Sequence, residues 1–324
     1  MGLILGIIGS SVLFVSCGET NGKNGEEILT LNEGAIIKIE KGEFYNLNFE
    51  EEKFEKTLKE ETILEYNKSK DTYIFLKDGK HFIRRKDKII EIKDKEYSEL
   101  KLSPTGKYVA YIIEDSGERI LKVLDLDKNT ERKIKSKVRI SGNFFQFLEN
   151  DTLIYYGISI EGENGLFTYD LEKEAENKFY EIKKGYIEFL KVVDDKIIIL
   201  NTFDEEEKNL EIITKEGKQS KIIENEIDKI YDIKKVENEY YFLGSIKTDG
   251  ESLYKIVADE IERMIFDFPK NISLEKGLSK TENEEILFMG NEGFESEMKI
   301  FSYKNEEVSV VEETDGEYEF IRFK

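Results

Sequence analysis

From residue 28 onward, short runs of Ile, Val, Tyr, Phe and Leu alternate with clusters of Gly, Asn, Asp and Lys. Apolar residues almost never recur at i, i+3 and i+4, the spacing that would place them on one side of a helix. The runs are instead short and rich in β-branched and aromatic residues, so the pattern predicts strands throughout. Pro104 and Pro269, the only two prolines, both fall between runs, where a missing backbone donor does least harm to a ladder.

The runs repeat as a unit of about 34 to 48 residues, and a fixed long period marks a repeat architecture. Each unit reads as an inner strand, a strongly apolar second strand, a mixed third and a polar fourth. The second strands are expected at 72–76, 108–113, 152–160, 196–200, 239–243 and 285–289. Such near-continuous apolar runs suit strands covered on both faces, as when neighbouring sheets sandwich them. Third strands are expected at 81–84, 120–126, 165–171, 209–214, 252–257 and 297–303, and shorter fourth strands at 88–92, 130–134, 178–182, 220–223, 260–265 and 307–311.

The two ends complete one another. Residues 35–40, 43–49 and 53–58 read as second, third and fourth strands without a first, while 317–323 resembles the first strands at 97–102 and 186–191 and has nothing after it. Joined, they make one more unit. The expected fold is all-β: a β-propeller of seven four-stranded blades closed by the C-terminal strand, because an open array would leave an unpaired edge and a bare apolar face.

One blade carries a more specific signature. Ser103-Pro104-Thr105-Gly106-Lys107-Tyr108-Val109-Ala110-Tyr111 places a φ-restricted Pro and a φ-permissive Gly in the turn between inner and second strands. Asp125-Leu126-Asp127-Lys128-Asn129-Thr130 follows at the third-to-fourth hairpin, and Asp170-Leu171-Glu172-Lys173 stands at the equivalent place one blade later. These segments resemble the Ser-Pro-Asp-Gly-Lys blade motif of TolB-like and dipeptidyl-peptidase-type β-propellers, with Thr105 where Asp is usual. The resemblance implies a propeller; the additional α/β domain of TolB and the hydrolase domain of dipeptidyl peptidases are not expected, since neither has room in this sequence. The absence of Trp removes the Trp-dependent propeller motifs.

Residues 2–15 are uncharged and have the length and small-residue ending of a secretory h-region, too short to span a bilayer comfortably. The following Phe14-Val15-Ser16-Cys17-Gly18 resembles the lipobox of bacterial lipoproteins, with Phe14 in place of the usual Leu. The plain alternative is a hydrophobic first strand or helix with a buried cysteine. Cys17 is the only cysteine, so no internal disulfide can form, and its place after the h-region suits acyl attachment better than redox chemistry. Residues 18–27 are polar and glycine-rich, a tether of about 17 Å r.m.s. reach. The expected organisation is a lipoprotein signal peptide at 1–16, the lipidated Cys17 with its tether at 17–27, and a propeller at 28–324. The protein would then be extracytoplasmic and held at the bacterial membrane through the lipid alone.

The net charge of −21, from 70 acids and 49 bases, disfavours nucleic acid, whose phosphates require clustered cations. His81 is the only histidine, which excludes a His-rich metal site; beside Phe82 and Ile83 it reads as a half-buried strand residue rather than a catalytic base. No Gly-x-Ser-x-Gly elbow and no phosphate-binding loop is present. The Asp125-x-Asp127-x-Asn129 series opens like a calcium loop, but Thr130 replaces the needed Gly and Ser136 the closing Glu, so a turn is expected.

What remains is geometry. The hairpins between second and third strands are expected to be the longest and most acidic: Glu114 and Asp115, Glu161 and Glu163, Asp204 with Glu205, Glu206 and Glu207, Asp249 and Glu251, and the stretch 292–297. In a propeller they share one end of the ring, where loops on a rigid scaffold carry binding or are simply solvated. Two functional classes follow. The first is a non-enzymatic binding or scaffold module for a protein, peptide or glycan, with no cofactor beyond weak calcium binding at this rim. The second is a carboxylate-based glycosidase or lyase of the cell envelope, recognised by a funnel holding two carboxylates and sugar-stacking aromatics.

Overall fold

The computed structural model describes residues 29–324 except 41–42, 49–52, 57–60, 205–206, 225, 259, 294–297 and 313–315. The h-region, Cys17, the tether, Glu205 and Glu206 lie outside the described residues. Seven antiparallel sheets follow one another around an axis, making a seven-bladed propeller with almost no helix. Blade 2 runs Thr62–Asn67, Thr72–Lys77, Lys80–Arg85 and Lys88–Glu91 from axis to rim; blade 3 runs Ser98–Leu102, Tyr108–Asp115, Glu118–Asp125 and Thr130–Lys133. In blades 4, 5 and 6 the inner strands are Val138–Phe147, Tyr186–Val193 and Ile227–Val236.

The apolar second strands sit where the pattern puts them, and their continuous hydrophobicity has a simple cause. Alternate residues face opposite neighbouring blades: Leu153 and Tyr155 pack with blade 3 residues such as Ala110 and Val123, while Ile154 and Tyr156 pack with blade 5 residues such as Ile187 and Ile197. A separate apolar core fills each of the seven interfaces between blades. The strand is therefore apolar on both faces, unlike a sheet strand with one wet side.

The turn motifs behave as their chemistry requires. Ser103 Oγ accepts from the N–H groups of Lys107 and Tyr108 at 3.1 and 3.0 Å, and Gly106 takes the left-handed conformation at φ +60°. Asp125 Oδ1 accepts from Asp127 and Lys128 N–H, both at 3.0 Å, and Asp170 does the same for Glu172 and Lys173 at 3.0 and 2.8 Å. These are Asx turns that hold the hairpin.

Two differences from the expected strands concern blade 7 and the closure. The inner edge of blade 7 is split into Asn271–Ile272 and Ser279–Lys280 around a short 3-10 turn at Leu274–Lys276. The C-terminal segment is likewise not one strand. Glu317–Phe320 is the inner strand of blade 1, antiparallel to Ile36–Glu40, and the chain then crosses to blade 2, where Arg322–Phe323 adds a parallel strand inside Thr62–Asn67. Buried Ile321 makes the crossing, its N–H donating to Ala35 O at 3.1 Å. The last residues thus clasp two blades rather than one.

Except where Arg322–Phe323 covers Glu65 and Tyr66 of blade 2, the inner strands turn one ladder edge to the axis, and an unpaired buried edge group is costly. Side chains from the neighbouring blade satisfy several of these groups. Glu65 accepts from Leu102 N–H at 3.1 Å; the Gln146 amide reaches both Leu190 O and Val192 N–H at 3.3 and 3.2 Å; Asp232 accepts from Leu278 N–H at 2.9 Å. Lys191 bonds Asp232 across blades 5 and 6. These polar stitches hold the blades together at the axis, and their residues are the ones without hydrophobic periodicity.

Candidate functional site

The ring has two mouths. One carries the hairpins from second to third strands. Glu161, Glu163, Asp204, Glu207, Asp249 and Glu251 all lie at this end, so the topology brings the expected acidic residues to one face. The hairpins are shorter than expected in blade 3, where Glu114 and Asp115 continue the ladder and only Ser116 and Gly117 form the turn. The apolar run ends there before the hydrogen bonding does.

Several of these acids have basic partners close by. Glu163 meets Lys178 at 2.8 Å, Asp115 meets Lys133 at 2.7 Å, Glu292 meets Lys299 at 3.0 Å, and Asp249 lies 3.7 Å from Arg263. Asp204 caps its own hairpin by accepting from Glu207 N–H at 3.0 Å. Among the described residues, no three His, Cys, Asp or Glu side chains come together as a metal-binding group.

A cavity of about 530 Å³ opens toward this mouth between blades 4, 5 and 6, lined by Phe144, Tyr156, Tyr186 and Glu188. The aromatics would suit a flat apolar ligand face. Glu188 is the single carboxylate among the lining residues, and it pairs with Lys208 at 2.9 Å. His81 stands apart, half-buried in blade 2, its Nδ1 3.0 Å from the Tyr97 hydroxyl. Burial, aided by the positive charge of Arg322, holds its pKa below the usual imidazole range.

The opposite mouth carries the hairpins from first to second strands, and here the charge inverts. A cavity of about 690 Å³ is lined by Lys191, Lys234, Lys235, Lys280 and Lys324, with Glu149 and Asp194 as its acids. Its walls also include Phe147, Val192, Ile233 and Phe323, so lysines project from a partly apolar surface. Lys235 pairs with Asp194 at 3.2 Å and Lys324 with Glu65 at 3.4 Å. Burial pushes Lys234 down to about 8, reinforced by the neighbouring Lys191 and Lys324 charges and opposed by Asp232 and Glu33. Burial likewise lowers Lys101, on the blade 3 inner strand, to about 8.

A depression of about 640 Å³ on the same face, between blades 2, 3 and 4, is built differently. Its Arg85 pairs with Asp127 at 2.8 Å and its Lys107 with Glu172 at 3.0 Å, so cations and acids compensate across the blade boundaries. The axial mouth was not singled out by the sequence, which drew attention to acids. The available signal was a lysine near the end of several inner strands: Lys101, Lys191, Lys234 and Lys280.

Comparison with known proteins supports the architecture. No protein-family profile and no curated protein matches the sequence. Among solved structures, the chain is similar to an uncharacterized protein of Listeria monocytogenes, at 12% identity over 87% of this chain and 91% of that one, TM-score 0.57. It is also similar to the β-propeller domain of the trilobed protease from Pyrococcus furiosus, at 17% identity over 77% and 84% of the two chains, TM-score 0.52. A structure from a study of two prolyl endopeptidases matches at 13% identity and TM-score 0.53, covering 72% of this chain and 38% of that one. These likenesses show the β-propeller fold. The Pyrococcus domain is described as having an open velcro topology; here the C-terminal segment pairs with both blade 1 and blade 2.

Proposed function

We propose that this chain is an extracytoplasmic, lipid-anchored β-propeller that acts as a non-enzymatic binding module, engaging a protein, peptide or glycan through one face of its ring. The observation that carries the binding role is the lysine-lined cavity at the axial mouth, set in a ring whose closing segment is tied to two blades. Concave sites with apolar walls and a few converging polar groups are where rigid scaffolds take ligands. The anchor rests on Cys17 behind its apolar leader.

The glycosidase alternative would need a second carboxylate beside Glu188 in the aromatic cavity. Glu188 already answers Lys208 there, which leaves that reading the weaker of the two.

Two measurements test the proposal. Cys17→Ala should move the protein out of the detergent phase in a partition assay while leaving its melting curve unchanged; equal retention of both forms rejects the anchor. Crosslinking and capture from intact cells with the full chain should yield a partner that is lost when charges at the axial mouth are reversed. A partner lost only on changing Glu161, Glu163, Asp249 and Glu251 would move the binding face to the opposite end, and turnover of an envelope glycan by the purified protein would reject the non-enzymatic reading.

A further inference from the structure

A protein of net charge −21 has little reason to gather lysines around a concave axial mouth unless something negative sits there. Most of these cations have an acid at hand. Lys191 bonds Asp232, Lys235 meets Asp194 at 3.2 Å, and Lys280 lies 3.5 Å from Glu284 and 3.8 Å from Glu33. Glu65 faces both Lys324 and Arg322, at 3.4 and 3.7 Å.

Lys234 differs. It stands on the blade 6 inner strand, two residues beyond Asp232, and among the described residues no carboxylate comes within ion-pair distance of it, which it shares only with Lys215 among the cavity's lysines. Asp232 is committed elsewhere, to Lys191 and to the N–H groups of Leu278 and Ile233.

Resting on the binding-module reading, we propose that the axial mouth is a site for an organic anion. Its carboxylate or phosphate is taken by Lys234, with Lys191 and Lys324 adding to the field, while an apolar stem lies along Phe147, Val192, Ile233 and Phe323. The cavity volume of about 690 Å³ is that of a small-molecule site or the end of a peptide rather than of an extended polymer. A charge kept half-buried without a counter-ion weakens the fold, and such a cost is what a functional site retains. Burial and the charges of Lys191 and Lys324 hold the Lys234 pKa near 8, so near and above that pH a bound oxyanion draws a proton onto the Lys234 amine. The other charged groups facing it, Asp232 and Glu33, oppose this shift without cancelling it.

The test is calorimetric titration of the full chain with phenyl phosphate and benzoate, using benzamide as the uncharged control and inorganic phosphate as the stemless one. The expected result is a Kd below about 1 mM for the two organic anions, rising with salt and rising about tenfold between pH 7 and pH 9. At pH 8, buffers of different ionisation enthalpy should reveal net proton uptake. Lys234→Met should lose at least about tenfold in affinity while melting no lower than the parent, since it removes a buried charge; Lys234→Arg should bind and keep binding at pH 9.

Absence of heat up to about 10 mM anion, or equal affinity in Lys234→Met, overturns the proposal. Inorganic phosphate binding as tightly as phenyl phosphate overturns the apolar stem. A cellular partner still captured by Lys234→Met would leave the binding-module reading standing and sink this inference alone.

Discussion

Glu65 is the sharpest place to separate charge from hydrogen bonding at the axis. Its carboxylate is 1% exposed, accepts from Leu102 N–H at 3.1 Å, and faces Arg322 and Lys324 at 3.7 and 3.4 Å. The Arg322 side chain is 55% exposed, so water can take up much of its charge if Glu65 is neutralised. Leu102 is fully buried on an edge with no other strand to pair with, so its N–H has no such recourse. Glu65→Gln keeps the acceptor and removes the charge; it should cost about 1 kcal/mol. Glu65→Ala removes both, and the orphaned N–H together with the lost packing should cost about 3 kcal/mol, a fall in Tm of about 4–5 °C for a chain of this size. Urea unfolding of the parent and the two variants, with the slope held common, reads the difference directly. If the Gln variant is as unstable as the Ala variant, the cationic C-terminal segment and not the Leu102 edge is what Glu65 serves.

Three further outcomes follow from the same structure. A chain ending at Glu313 loses buried Tyr318 and Ile321 and both clasped edges; with about 2–5 kcal/mol for each large side chain it should lose most of its stability and bind a hydrophobic dye, and a truncated form melting like the parent would refute the clasp. Gly185 has φ +83° and a Cβ there would lie 2.0 Å from Thr202 O, so Gly185→Ala should cost about 2–4 kcal/mol in urea, whereas Gly79→Ala, at φ +74° with open space around it, should cost about 1. Lys101 and Lys234 titrate near 8 in the folded state and near 10.5 unfolded, so the unfolded chain holds more protons between those values; stability measured by denaturant should rise from pH 8 toward pH 10, and Lys101→Met and Lys234→Met should each flatten that rise.

What the sequence revealed and what it hid divide along physical lines. The second strands were legible because both of their faces are apolar, a signal that survives without knowing the neighbours. Ser103, Gly106, Asp125 and Asp170 were legible because their side chains or φ preferences act on their own backbone within a few residues. Hidden were the inner-strand residues whose partners lie a blade away. Glu65, Gln146, Lys191 and Asp232 read as ordinary polar interruptions, yet each reaches the next blade at the axis. The split of the C-terminal segment at Ile321 was hidden for the same reason, since only the spacing of blades 1 and 2 dictates where the chain must cross. The acidic hairpins were visible because exposed charge stands out in a sequence; the lysines of the opposite mouth are few against 49 bases, and only the topology gathers them.

The clasp also ties the ring's integrity to concentration and history. Residue 36 pairs with residue 320, so closing within one chain costs about 5 kcal/mol of loop entropy beyond a constant, and it makes use of contacts formed only after the intervening blades exist. Until then blade 1 lacks its inner strand and presents an open edge of the kind that recruits strands from other chains. A second copy carries the same C-terminal segment, with the same Tyr318 and Ile321 to bury and the same hydrogen bonds to offer. Its only handicap is dilution. Refolding from a dilute state should therefore give closed monomers, and refolding at high concentration a share of rings that have exchanged their last strands, separable by size-exclusion chromatography.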